Sequence, residues 1–170
     1  DNVVLGPKWN YKKAGRIWNR RYDPAPPWIS VRIANSMWAM NLGLCLFAAH
    51  GAEILGLTWS NVYISDEEIA DDNAYVYIDK ELARASKRAI EMLEQKDIYH
   101  VFTPLFPNTS TRIILKKPKT DSSIRKVWLP KTLAYILREW KSAQDELRAL
   151  LRDEYQDFDL VVALPNGRPV

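Results

Sequence analysis

Residues 112–131 hold seven cations, Arg112, Lys116, Lys117, Lys119, Arg125, Lys126 and Lys131, against one acid, Asp121. Within that run, Pro118-Lys119-Thr120-Asp121-Ser122-Ser123 supplies turn chemistry, because proline presets φ and short polar side chains bond nearby backbone groups. A lysine at such a tip is a point charge on a flexible stem, whereas the arginine guanidinium is a planar fork of donors. Both suit the oxygens of a phosphate. A second acid-free stretch, residues 2–22, carries Lys8, Lys12, Lys13, Arg16, Arg20 and Arg21. Residues 132–160 reverse the sign, with seven acids against four bases. On a chain of net charge +3 this segregation is the footprint expected of a polyanion binder. The alternative reading of the same charges is a solvated face.

The elements that must position these groups follow from periodicity and turn chemistry. Residues 112–116 are apolar and β-branched at their centre, and Lys126-Val127-Trp128-Leu129 is the natural antiparallel partner, which predicts a basic-tipped hairpin. Pro130 suits a helix start, and Leu133, Ile136, Leu137, Trp140, Leu147, Leu150 and Leu151 mark one stripe of a long amphipathic helix. Upstream, residues 30–50 run at helical spacing with Ser30 as N-cap, predicting a largely buried helix. Gly51 breaks it, Ala52 to Leu57 continue for a turn or two, and an acidic loop spans Asp66 to Asp72. Ala74 to Ile78 read as a strand, and Leu82, Ala85, Ala89, Ile90 and Leu93 fall on one helical face through about Gln95. Residues 98–111, with Pro104, Pro107 and Asn108, read as a loop. After the long helix come the short apolar run Leu160 to Leu164 and a turn at Pro165-Asn166-Gly167-Arg168-Pro169. The expected class is α+β, mainly α-helical with a small antiparallel sheet or hairpin, preceded by a basic arm over residues 1–29.

Composition bounds the rest. A length of 170 residues with 47% hydrophobic content fits one folded domain. The lone cysteine, Cys45, excludes an internal disulfide framework and a CxxC metal pair, and no metal or other cofactor is expected. Asn35, Asn41 and His50 interrupt the richest apolar segment, so neither a membrane span nor a signal peptide is expected, and a cytoplasmic location fits.

Two segments carry a resemblance. Glu53-Ile54-Leu55-Gly56-Leu57-Thr58-Trp59-Ser60 resembles the first box of tyrosine recombinases, T-G-x-R-x-G-E-[IL]-x-x-L-x-W-x-D. Pro118-Lys119-Thr120-Asp121-Ser122-Ser123-Ile124-Arg125-Lys126-Val127-Trp128-Leu129-Pro130 is similar to the family's β-hairpin, often P-K-T-x-S-S-x-R-x-[VI]-x-[LI]-P in integrases of phages and conjugative transposons. Tyr75 to Leu82, Trp140 to Asp157 and Leu164 to Pro169 also look like such integrases, so the likeness covers most of residues 31–170.

The resemblance implies a catalytic domain, here residues 30–170, that breaks and rejoins double-stranded DNA through a phosphotyrosine link without a metal. In the family such domains assemble on DNA, as a tetramer in the synapse. It implies that Lys119 is the hairpin lysine, a general acid toward the leaving 5′-oxygen, and that Glu53 is the acid buttressing the first catalytic arginine. That arginine's position holds His50, a poorer cation at neutral pH. The family's H-x-x-R box is not found: His50 is followed by Gly51-Ala52-Glu53 and His100 by Val101-Phe102-Thr103. None of the eight tyrosines sits in the nucleophile's context, so the chain is expected to be an incomplete, inactive part of a recombination and integration module that still binds DNA. A non-catalytic DNA-binding regulatory or structural module is the alternative. Lys117, Arg125 and Lys126 are expected to touch backbone phosphates, as are Arg20 and Arg21 from the arm. Tyr75, Tyr77 and Tyr99 read as strand or core aromatics. The tryptophans read mostly as packing residues, Trp59 and Trp140 on core faces.

Overall fold

A computed structural model describes residues 51–92, 97–104 and 109–170. The basic arm with Arg20 and Arg21, the expected helix over 30–50, Cys45 and His50 lie outside the described residues. In chain order the elements are α1 (Gly51–Leu55), β1 (Val62–Tyr63), α2 (Asp66–Ala70), β2 (Tyr75–Ile78), β3 (Glu81–Ser86), α3 (Lys87–Met92), β4 (Ile98–Val101), β5 (Thr111–Lys116), β6 (Arg125–Trp128) and α4 (Lys131–Leu151). Single 3-10 turns follow at Trp59–Asn61, Asp121–Ser123 and Arg152–Glu154. The class is α+β. Among the described residues the strands form two three-stranded antiparallel sheets, ordered β1-β2-β6 and β3-β5-β4.

α4 begins directly after Pro130, whose missing N–H costs nothing at a helix start, and it buries Leu133, Ala134, Leu137, Trp140, Ala143, Gln144, Leu147 and Leu151. This is the stripe expected from the sequence, except that Leu150 is exposed and Ile136 only partly buried. The stripe packs with the inner residues of the first sheet, Val76, Ile78 and Val127, with Ile54, Leu57 and Trp59, with Ile69 of α2, and with Val161 and Val162. A second cluster, Leu82, Leu115, Phe102, Leu160 and Ala163 with Phe158 and Ile113 against it, lies under the β3-β5-β4 sheet. Ser65 caps α2 through a reciprocal capping box with Glu68, turning part of the expected acidic loop into a short helix.

The one polar member of the α4 stripe, Gln144, is satisfied in place. Trp59 Nε1 donates to Gln144 Oε1 at 2.6 Å, Gln144 Nε2 donates to Val161 O at 3.1 Å, and Trp140 Nε1 donates to the same carbonyl at 2.6 Å. Backbone bonds from Trp59 N to Asp159 O (2.8 Å) and from Val161 N to Leu57 O (2.9 Å) then clamp the apolar run 160–163 beside residues 57–59. Burying these polar groups is tolerable because each finds a partner.

Three expectations are corrected. Residues 81–86 are a strand, not the start of a helix; α3 spans only Lys87–Met92. Glu81-Leu82-Ala83-Arg84-Ala85 has good helix propensity, but six successive pairs with β5, from Glu81↔Lys116 to Ser86↔Thr111, override it. Residues 98–101 form β4 on the other edge of β5 rather than loop. Most consequentially, β5 does not pair with β6: it lies between β3 and β4, while β6 pairs with β2. Because Ile78 faces Arg125 and Glu81 faces Lys116, the two residues Asp79 and Lys80 stand opposite the eight residues 117–124. The lysine-bearing turn is thus an excursion between two ladders, not the tip of a simple hairpin.

Gly56 sits where α1 approaches β3. A Cβ there would come within 2.7 Å of Glu81 Cα and 2.8 Å of Glu81 C and Leu82 N, all backbone with no flexible side chain to yield. We expect Gly56→Ala to destabilise the fold by about 1–3 kcal/mol through overpacking, read as a lowered urea midpoint with an unchanged m-value; an unaltered midpoint would show that this approach is loose.

Candidate functional site

Glu53, two residues after Gly51 in α1, is 3% exposed. Its carboxylate meets the first residue of β6: Arg125 donates from one terminal nitrogen to Oε1 at 3.2 Å and from the other to Oε2 at 2.9 Å. The same guanidinium donates to Ser123 O at 2.8 Å, so one side chain ties the end of the 117–124 excursion to α1. Such a two-point bond is directional in a way a lysine cannot reproduce. Arg125 points this way because of the strand's period of two: Arg125 and Val127 share the partly buried face, while Lys126 and Trp128 share the exposed one.

The excursion is braced from within. Lys117 and Asp121 pair at 2.9 Å across Lys119, and the hydrogen bond and charge of Asp121 raise the Lys117 ammonium pKa, while those of Lys117 hold the Asp121 carboxyl below its ordinary value. The Thr120 and Ser123 hydroxyls lie 2.9 Å apart, and Ser123 N donates to Thr120 O at 3.1 Å. Pro118 is buried, anchoring the base, and Lys119 follows it exposed at a bend, with no ion pair among the described residues.

The other cations of the basic run are engaged. Lys116 pairs with Glu81 at 2.5 Å and Lys131 with Asp72 at 3.3 Å. Arg112 donates to the hydroxyl and carbonyl of Thr109. Lys126 lies over the rings of Tyr75 and Trp128, 3.8 and 4.8 Å from their centroids. The run that reads as seven cations against one acid therefore presents Lys119 as its cation without such an engagement among the described residues.

Of the expected site residues, Glu53, Arg125 and the lysine-bearing segment are brought together, Lys126 faces away on the outer side of the sheet, and His50, Arg20 and Arg21 are outside the described residues. Arg125, expected from the sequence to touch a phosphate, is instead the partner of Glu53. The signal was present in the alternation Arg125-Lys126-Val127-Trp128-Leu129, where inward Val127 and Leu129 put Arg125 inward too. Tyr77 and Tyr99 stand in strands, β2 and β4, as expected, and are 38% and 54% exposed; Trp59 and Trp140 are buried as expected, whereas Trp128 is 56% exposed on the outer face of β6. Among the described residues no group of three or more His, Cys, Asp and Glu side chains could hold a metal ion, and no helix is long and apolar enough to cross a membrane.

Neither the known protein families nor the characterised protein sequences with which the chain was compared provide a match.

Arg125→Ala takes this fork away from a buried carboxylate, and we expect a cost on the order of 3 kcal/mol in denaturant unfolding. Arg125→Lys recovers only part of it, and Glu53→Gln combined with Arg125→Met costs clearly less than the sum of the single changes. Strict additivity in that cycle would mean that the two side chains do not act together.

Proposed function

We propose that the chain is a segment of a tyrosine-recombinase catalytic domain that holds duplex DNA by its sugar-phosphate backbone and presents Lys119 to one phosphate. The observation that carries the reading is the Arg125–Glu53 fork, because it joins residues 72 positions apart that belong to the two segments resembling the family. A contact that unites both motifs gives each residue type a physical reason, which separate chance matches do not require.

In this reading the roles divide by environment. Lys119, exposed and free of carboxylate partners among the described residues, supplies a mobile ammonium that neutralises a phosphoryl oxygen or protonates a leaving 5′-oxygen. Glu53 and Arg125 are positioning residues: they fix where the excursion leaves the sheet, and neither touches DNA chemistry directly. His50 stands in the family's arginine position. No tyrosine is assigned as nucleophile, so the activity proposed for this chain is binding rather than strand transfer. With most of the 112–131 cations engaged inside the fold, binding by this surface is weak, sequence-tolerant and salt-sensitive.

Anisotropy of a fluorescein-labelled 20-base-pair duplex tests this. Binding should be measurable near 50 mM salt and should fall as salt rises, and Lys119→Ala should weaken it a few-fold on every sequence while reducing the log–log salt slope by about 0.9, the value for one phosphate contact. Undetectable binding at low salt overturns the proposal, and a hundredfold loss in Lys119→Ala would make that lysine the principal anchor rather than a group held for chemistry.

A further inference from the structure

The outer face of the β1-β2-β6 sheet departs from what a soluble sheet ordinarily shows water. Tyr63, Tyr75 and Trp128 are direct cross-strand partners in one row, and Tyr77 and Lys126 form the next. Tyr63 and Tyr75 are stacked, with centroids 4.3 Å apart and planes 13° from parallel, and Trp128 meets Tyr75 edge-on at 5.6 Å. Tyr63, Tyr77 and Trp128 are respectively 38%, 38% and 56% exposed. Every side chain in these two rows is an aromatic with a polar tip or a lysine; the aliphatic residues Val76, Ile78 and Val127 point the other way, into the core.

We propose that this face is a stacking platform for unpaired bases of single-stranded nucleic acid, with Lys126 taking the adjoining phosphate. The inference goes beyond the duplex-binding reading and needs neither Lys119 nor the Glu53–Arg125 fork. Charge complementarity supports it: Lys126 has no carboxylate partner among the described residues and rests on π-faces instead. In the acidic segment that follows β1, Asp66 and Asp72 pair with Arg138 and Lys131. The carboxylate whose charge reaches the platform is Glu68, capped by Ser65 N and helping, after burial and Tyr63, to raise the Tyr75 hydroxyl pKa, which places the phosphate on the Lys126 side of the row. Size argues against a protein partner. Three strands about 4.8 Å apart and four residues at about 3.3 Å give a face on the order of 200 Å², far below the roughly 800 Å² per partner of a stable protein interface. It does suit two or three bases, the number that aromatic sheet platforms stack. Stacking also needs no hydrogen-bond readout, so any base sequence suffices. As a base settles on the tyrosine–tryptophan row, the flexible Lys126 stem moves its ammonium from ring to phosphate.

The experiment uses the full chain with labelled (dT)12 and (rU)12 in anisotropy titrations at low salt, DNA and RNA strands being the two sources of this chemistry. Binding to at least one is expected. Trp128→Ala should weaken it roughly 5- to 160-fold, the range for losing one stacked base, and Tyr77→Ala should weaken it in the same direction, providing a second variant if the first does not fold. Lys126→Gln should flatten the salt slope by about 0.7. Lys119→Ala, which lowers duplex binding, should leave single-strand binding unchanged, so the two readings fail separately. The proposal is overturned if neither oligonucleotide binds, if binding survives both aromatic substitutions, or if the face instead mediates self-association that Trp128→Ala abolishes.

Discussion

The Glu53–Arg125 fork is the constraint on which the candidate site depends. A carboxylate 3% exposed carries a desolvation penalty that only good geometry and charge offset, so a guanidinium delivering two bonds at 3.2 and 2.9 Å is held more firmly than a surface ion pair. Arg125 is the first residue of β6, and its third bond, to Ser123 O, fixes the chain just before the strand begins. The fork thus determines both where β6 starts and from what point the lysine-bearing excursion projects. Gly56, three residues after Glu53, lets the same helix end lie against β3 at backbone contact distance. α1 is therefore locked to both sheets at once, by charge to β6 and by close approach to β3.

Charge along the chain and charge on the surface differ for a related reason. Antiparallel pairing sets Glu81 opposite Lys116, and the excursion's own turn brings Asp121 back to Lys117; the acids that answer the basic run come mostly from elsewhere in the sequence. The exposed Lys117–Asp121 pair contributes little stability and Glu81–Lys116 is partly buried, yet each reduces the field that a DNA phosphate would feel. What survives among the described residues is local: Lys119 at a braced bend, Lys126 over its rings and Arg112 on Thr109 are the cations of the run without an acid partner. Such an arrangement favours placing a few charges with accuracy over attracting a long polyanion.

Features set by local chemistry were legible in the sequence. The α4 stripe, its start after Pro130, the turn over 118–123 and the strand 75–78 all follow from periodicity and turn residues, and each is present. Pairing was not legible. β5 and β6 are consecutive and separated by turn residues, which is the ordinary signature of a hairpin, but β2 and β3 offer two adjacent ladders in tandem and the pair is recruited one strand to each. The helix propensity of residues 81–86 concealed β3 in the same way, since nothing local records six partners 25 to 35 positions away. Gln144 likewise reads as a break in an apolar stripe until Trp59 and Val161 are seen to complete it.

The period of two in β6 links these points. Val127 and Leu129 must face the core, which leaves no freedom for their neighbours: Arg125 is carried inward to Glu53, and Lys126 and Trp128 are carried outward. A register slip of one residue would place the tryptophan and the lysine in the core and leave the guanidinium in solvent, with Glu53 losing its fork. Four residues therefore serve three ends, a core contact, a half-buried ion pair and an aromatic outer face, and the hydrophobic demand of Val127 and Leu129 decides which residue serves which. The inward arginine is also what keeps the outer face single in character, with a cation that rests on rings rather than on an acid. Positioning the lysine excursion and building the aromatic face are in this sense two consequences of one strand's alternation.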